Sequence, residues 1–97
     1  MAEITYLPEV ECVVETAEGL LHTSVVYVSD EDKNRQYLRV GKADVISEGG
    51  KAYIRVGVVR LDYPRKRALV ELPVEADSGT RRLWVPFTRF RVQEVAQ

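Results

Sequence analysis

The chain has 97 residues, of which 45% are hydrophobic and 30% charged, a composition typical of a globular domain and not of a disordered segment. Its formal net charge is −1, so the total charge does not by itself favour nucleic acid or an anionic membrane as a partner. The length predicts a single domain over residues 1–97, and no apolar run reaches the roughly 20 residues that a membrane helix requires.

The N-terminal part of the chain predicts a β-hairpin. Val10, Cys12 and Val14 alternate with acidic residues, so the first strand is expected to bury its apolar side chains and expose its acids. A turn at residues 17–19 and a β-branched run over residues 20–28 complete the hairpin. The second strand leads into the polar segment SDEDKNR, which is typical of a hairpin loop.

The remainder of the chain continues the same period-two pattern. Further strands are predicted over residues 37–46, 51–61, 68–74 and 81–87. The alternation slips by one residue near Gly41 and again near Gly57, and we expect a β-bulge at each position. Five to six antiparallel strands joined by short turns predict an all-β protein with a small closed sheet.

Two segments of the C-terminal half carry a resemblance at the level of shape. VGVVRLDYPRKRALVEL at residues 56–72 and LWVPFTRFRV at residues 83–92 resemble the second half of an SH3-like barrel. The resemblance implies a single helical turn near residues 86–90, between the last two strands, and Pro86 suits the first position of such a turn. The early aromatic motif of peptide-binding SH3 domains is missing, so the resemblance does not imply binding of proline-rich peptides. SH3-like barrels serve many functions, and the shape alone does not choose among them.

Residues for catalysis or metal binding are scarce. His22 is the only histidine and Cys12 the only cysteine, so an ordinary zinc site would lack ligands. A nucleophilic pair would require these two residues to face each other across the first hairpin, whereas Cys12 is expected to point inward. The glycines lack the spacing of a phosphate-binding loop. We therefore expect no cofactor, no metal, no small-molecule substrate and no enzymatic activity.

Charge is distributed unevenly along the chain. All 14 Lys and Arg residues lie at or after Lys33, whereas eight of the 15 acids precede it, which leaves −8 before that point and +7 after it. The predicted outer face of the first strand is acidic. It either keeps the protein soluble and protects a strand edge, or it binds a basic partner. The candidate contacts for such a partner are Glu9, Glu11 and Glu15.

Arginine and aromatic residues recur together in the basic part of the chain, two positions apart and therefore on one face of a strand. These candidate binding residues are Tyr37 with Arg39, Tyr53 with Arg55, and Arg82 with Trp84. Candidate contacts for phosphates or an acidic partner are Arg65, Lys66, Arg67, Arg89 and Arg91. A shared face would suit single-stranded nucleic acid. Alternatively, the arginines stack on neighbouring aromatic rings, and the acidic strands neutralise the basic ones within the monomer.

Several apolar residues fall on the predicted outer faces of strands. They are Val13, Val26, Val59 and Leu69. Such a surface favours self-association. We therefore predict a non-enzymatic interaction or assembly module that forms a homo-oligomer or binds another protein, with single-stranded nucleic-acid binding as the alternative. The single cysteine, and the absence of a basic start followed by an apolar run, predict a cytoplasmic location without membrane contact.

Overall fold

The computed structural model describes residues 3–16 and 22–96, which form two antiparallel sheets. The described strands are β1 (Ile4–Thr16), β2 (Thr23–Ser29), β3 (Arg35–Gly41), β4 (Val45–Glu48), β5 (Lys51–Arg55), β6 (Gly57–Asp62), β7 (Arg67–Glu71), β8 (Arg82–Pro86) and β9 (Phe90–Ala96). The predicted all-β class is confirmed. The predicted helical turn near residues 86–90 is the 3-10 turn Phe87–Arg89. The turn predicted at residues 17–19 lies outside the described residues.

The long strand β1 organises the larger sheet. Its N-terminal part pairs with β9, its middle with β5 and its C-terminal part with β2. The strand order is β3-β2-β1-β5-β4, and the smaller sheet has the order β6-β7-β8. The two sheets meet at Val56, between β5 and β6, where the Val56 N–H donates to the Pro8 carbonyl at 3.0 Å. This arrangement is compatible with a small barrel-like fold.

The core lies between the inner faces of the two sheets. Its buried apolar residues are Val10, Cys12, Val26, Val28, Leu38, Val40, Ile54, Val56, Ala68, Val70, Leu72, Ala76, Leu83 and Val85. The predicted orientations of two apolar residues, Val26 and Val14, are wrong. Val26 is completely buried, because Ser24, Val26 and Val28 form the inward face of β2. Val14 is 38% exposed, next to a register shift in the pairing of β1 with β2.

The two β-bulges predicted near Gly41 and Gly57 have different outcomes. The ladder between β2 and β3 is continuous up to Gly41, so the expected bulge there is wrong. The 3-10 turn Lys42–Asp44 follows instead and separates β3 from β4. A register shift between Val58 and Arg60 confirms the irregularity predicted near Gly57.

Loops cover two outer strand edges. The Glu31 N–H, in the β2–β3 turn, donates to the Trp84 carbonyl of β8 at 2.9 Å. The Asp77 N–H, in the β7–β8 loop, donates to the Tyr37 carbonyl of β3 at 2.8 Å. These contacts satisfy backbone groups that edge strands would otherwise leave open to another chain.

Candidate interaction surface

The acid at the centre of β1 is engaged within the chain. Glu9 lies opposite Arg55 of β5 on one side and Arg91 of β9 on the other. It is 1% exposed. The Arg91 Nε donates to Glu9 Oε1 at 2.8 Å, and the Arg55 Nε lies 4.0 Å from Oε2. Glu9 therefore neutralises cations of its own chain and presents almost no surface to a partner.

Arg91 also covers one of the predicted aromatic residues. Its guanidinium carbon lies 3.5 Å from the centre of the Tyr53 ring, and its Nη2 donates to Glu48 Oε2 at 3.1 Å. Partial burial acts to lower the pKa of Arg91, but the hydrogen bond and charge of Glu9, together with Glu48, raise this pKa overall. The face of Tyr53 is thus occupied by an arginine whose charge is already balanced.

The other two predicted carboxylates of β1 differ from Glu9. Glu11 is half-buried and forms an ion pair with Lys51 at 3.3 Å. Glu15 is exposed and forms no ion pair with another described residue. Of the three predicted contacts for a basic partner, Glu15 is therefore the most accessible.

Arg67 covers an aromatic ring of the smaller sheet, as Arg91 covers Tyr53 in the larger one. Its guanidinium carbon lies 4.0 Å from the centre of the Trp84 ring. The Arg67 Nη1 donates to Glu31 at 2.7 Å, and its Nε donates to Asp62 at 3.0 Å. The hydrogen bond from Arg67 lowers the pKa of Asp62. Arg82, predicted to act with Trp84, is paired with Glu71 of β7 at 3.3 Å.

The third predicted pair lies on β3. Tyr37 packs against Tyr27 of β2, with ring centres 5.4 Å apart, and Arg35 lies 4.6 Å from the centre of the Tyr27 ring. Arg39 is exposed. The predicted pairs on β3, β5 and β8 thus belong to three different side-chain clusters. The ring of Tyr53 is covered by Arg91, which reaches across β1 from β9, and the ring of Trp84 by Arg67 of the adjacent strand β7.

An exposed apolar surface lies where β1 and β9 extend beyond the core. Val10 faces the core and lies opposite Phe90. Because alternate residues share a face, Tyr6 and Ile4 lie on the same side of β1 as Val10, and Val92 on the same side of β9 as Phe90. Val10 is completely buried, whereas Val92 is 46%, Tyr6 60% and Ile4 53% exposed. The side of the β1–β9 pair that faces the core at Val10 is therefore exposed at Tyr6, Ile4 and Val92.

The smaller sheet continues this surface. Leu61 lies opposite the buried Ala68, so its side chain is also on the core-facing side, yet it is 38% exposed. Tyr63 packs edge-on against Phe87, with ring centres 5.7 Å apart. A groove of about 340 Å³ is lined by Leu61, Tyr63, Phe87, Phe90, Arg91 and Val92. We call the surface formed by Ile4, Tyr6, Leu61, Tyr63, Phe90 and Val92 the apolar face.

Three cations lie beside one end of the apolar face. Arg65 and Lys66 belong to the β6–β7 turn, and Arg89 to the 3-10 turn before β9. The Phe87 N–H donates to the Lys66 carbonyl at 2.9 Å, which holds the two turns together. All three cations are exposed, and none forms an ion pair with another described residue. We call Arg65, Lys66 and Arg89 the cation group.

Sequence reasoning identified the cations but not the apolar face. Of the predicted outward apolar residues, Val13 and Val59 are exposed, at 44% and 42%, whereas Leu69 is half-buried. The alternation of Ile4, Tyr6 and Val10 was a usable signal for an apolar face on β1. The alternation does not indicate that this face of β1 is exposed, because its exposure depends on where the smaller sheet ends.

Cys12 and His22 differ in their surroundings. Cys12 is 5% exposed, and burial, followed by the charge of Glu11, raises the pKa of its thiol to about 11. A thiol with this pKa is protonated near neutral pH and is a poor nucleophile. His22 is exposed, just before β2. Within residues 3–16 and 22–96, no cluster of three or more His, Cys, Asp or Glu side chains could hold a metal ion.

Comparison with known proteins leaves the function to be argued from geometry. No protein family, curated protein or solved structure matches this chain. In the part of the chain that the structure describes, no helix has the length and apolar character needed to cross a membrane. The apolar face and the cation group are consequently the features from which a function can be argued.

Proposed function

We propose that this protein is a non-enzymatic assembly module that self-associates through the apolar face. The single observation that carries the proposal is the continuation of the core-facing side of β1 from buried Val10 to exposed Tyr6 and Ile4. A contiguous patch of exposed apolar side chains is typical of a site at which a soluble protein binds a partner. Covering it contributes about 25 cal/mol for each Å² removed from water.

A second copy of the chain is the occupant that the charges favour. Exposed Glu94 lies opposite Tyr6 in the β1–β9 ladder, near one end of the apolar face, and forms no ion pair with another described residue. The cation group lies beside the other end. A surface with an acid at one end and cations at the other is electrostatically complementary to itself.

Matched valine variants test this proposal. Val92 and Val13 are strand residues of nearly equal exposure, 46% and 44%, but only Val92 belongs to the apolar face. We expect Val92→Ser to weaken self-association about tenfold or more, because both copies lose the contact, and Val13→Ser to leave it unchanged. Sedimentation equilibrium over about 1 µM to about 1 mM covers the range of a small interface. A strict monomer over that range, or equal effects of the two variants, would exclude the proposal.

We further propose that the architecture is an SH3-like barrel and that the protein is cytoplasmic. Support for the barrel comes from the strand succession β9-β1-β5, the continuation of β5 into β6, the sheet β6-β7-β8, and the 3-10 turn between β8 and β9. Support for the location comes from Cys12, a buried free thiol in a chain with no second cysteine.

Binding of single-stranded nucleic acid is the second candidate, and one observation favours it at a particular place. Tyr63 is 68% exposed beside the cation group, whereas the rings of Tyr53 and Trp84 are covered by arginines. An exposed ring among cations can stack on a base while the cations contact phosphates. We expect Tyr63→Ala to reduce oligonucleotide binding at about 50 mM salt, measured by fluorescence anisotropy, and the exposed control Tyr6→Ala to have no effect. Undetectable binding of the unmodified protein at that salt concentration would exclude this candidate.

A further inference from the structure

Charge follows a fixed order along the apolar face. The cation group comes first, beside Tyr63 and Phe87. The apolar side chains of Phe90 and Val92 follow, and then Glu94, with only Ile4 of the apolar face lying beyond it, opposite Ala96. Strand β9 rises about 3.3 Å per residue, so Glu94 lies about 13 Å along the strand from Phe90, the residue that follows Arg89. Glu94 and the cation group form no ion pair with each other within the described residues, so both remain available to a partner.

The two possible relative directions of a second copy differ in energy. If two copies stacked with their β9 strands parallel, Glu94 would meet Glu94 and the cation groups would meet each other. If the strands run antiparallel about a twofold axis near Val92, each Glu94 lies over the cation group of the other copy. The second arrangement makes the same favourable contact twice, as an isologous interface requires.

We propose that two copies pack their apolar faces antiparallel about a twofold axis, with Glu94 of each copy contacting the cation group of the other. This inference rests on the proposed function, because it specifies how the apolar face is covered. It also assigns a role to Arg65, Lys66 and Arg89, none of which forms an ion pair with another described residue. Their part is to set the direction of packing, since exposed ion pairs contribute more to orientation and specificity than to affinity.

Charge reversal with mixing tests the arrangement. Glu94→Lys and Arg89→Glu each place two repulsive contacts in the homodimer, so each variant alone should dimerise about tenfold more weakly than the unmodified chain. In a mixed dimer, Lys at position 94 of one copy faces Glu at position 89 of the other, and the second contact keeps its original Glu94 and Arg89. Mixing the two variants should therefore restore association. Native mass spectrometry, with one variant isotope-labelled, measures the mixed dimer directly.

The outcomes separate this inference from the proposed function. Preferential formation of mixed dimers supports the antiparallel arrangement. Glu15→Lys is the control, because Glu15 is an exposed acid of β1 away from the apolar face, and this variant should dimerise as the unmodified chain does. If Val92→Ser weakens the dimer but neither charge reversal does, the apolar face is the interface and the antiparallel contact is wrong. If the unmodified chain is a monomer throughout, the proposed function and this inference both fail. Circular dichroism confirms that each variant is folded.

Discussion

Arg91 and Glu9 lie 82 positions apart in the chain, and the Arg91 Nε donates to Glu9 Oε1 at 2.8 Å on the sheet formed by β9, β1 and β5. The contact brings the acidic first third of the chain against its basic remainder. Glu11 with Lys51 and Glu31 with Arg67 repeat the same relationship. Three of the eight acids that precede Lys33 are therefore neutralised by later cations among the described residues, and the exposed charges without an ion pair remain open to a partner.

Removing Arg91 should destabilise the protein more than removing a cation from an exposed ion pair. Arg91→Met leaves the carboxylate of Glu9 buried, with only Arg55 at 4.0 Å, and should lower the free energy of unfolding by about 3 kcal/mol. Arg82→Met, which breaks an exposed pair with Glu71, should cost about 0.2–1 kcal/mol. Urea denaturation measures both values. The double variant Glu9→Gln with Arg91→Met should recover part of the loss, and equal costs for the two single variants would contradict the importance of burial.

Alkaline pH should destabilise the protein through Cys12. The pKa of this thiol is raised from 9.0 to about 11 in the folded protein, so between these values the unfolded chain loses its proton while the folded chain keeps it. The stability present below pH 9 should therefore decline as pH rises towards about 11, by about 2 kcal/mol from this group. Cys12→Ala should show a smaller decline over the same range, measured by urea denaturation at successive pH values. Parallel curves for the two proteins would show that the thiol is not responsible.

Acid should weaken the contact between Asp62 and Arg67. The hydrogen bond from Arg67 lowers the pKa of Asp62 below its ordinary value of 3.8, so the carboxylate stabilises the fold above that value. This stabilisation is lost as pH falls from 3.8 through the lowered pKa. Arg67→Met should move the pKa of Asp62 back up, which an NMR titration of the carboxyl carbon detects. An unchanged pKa in the variant would mean that Arg67 does not lower it.

Because Arg67 stacks on Trp84, the same variant should also change tryptophan fluorescence. Arg82→Met, which leaves that stack in place, serves as the matched control for the fluorescence measurement. A comparable change in both variants would indicate that the emission of Trp84 reports something other than its contact with Arg67.

A glycine in the β7–β8 loop should tolerate a side chain poorly. Gly79 has a φ of +87°, and its N–H donates to the Ala76 carbonyl at 2.8 Å, in the loop that covers the edge of β3. Gly79→Ala should cost about 1 kcal/mol or more of stability, because this φ is unfavourable for any residue with a Cβ. Gly57→Ala is the control, since its Cβ would meet only ordinary contact with the Glu71 Cβ at 3.7 Å. Thermal unfolding of the two variants compares them, and equal midpoints would contradict the expected strain.

Some features of the fold were accessible from local pattern because they depend on neighbouring residues only. The alternation of Val10 and Cys12 with acids indicates a strand with one buried face. The resemblance of residues 83–92 to SH3-like barrels indicates the helical turn before the last strand, which begins at Phe87, directly after Pro86. The orientation of Val26 could not be read in the same way, because β-branched residues fill both faces of β2 and either parity is chemically acceptable.

The sequence by itself determined the all-β class and the uneven distribution of charge, because strand periodicity and charge order are local properties. Its resemblance to SH3-like barrels added the turn before the last strand. Only the tertiary structure decided that Glu9 is buried between Arg55 and Arg91, and that the side of β1 occupied by Val10 emerges uncovered at Tyr6. These outcomes depend on which strands become neighbours and on where the smaller sheet ends. Pairing of distant strands sets both, so the ion pairs and the exposed apolar face follow from long-range contacts that no local pattern contains.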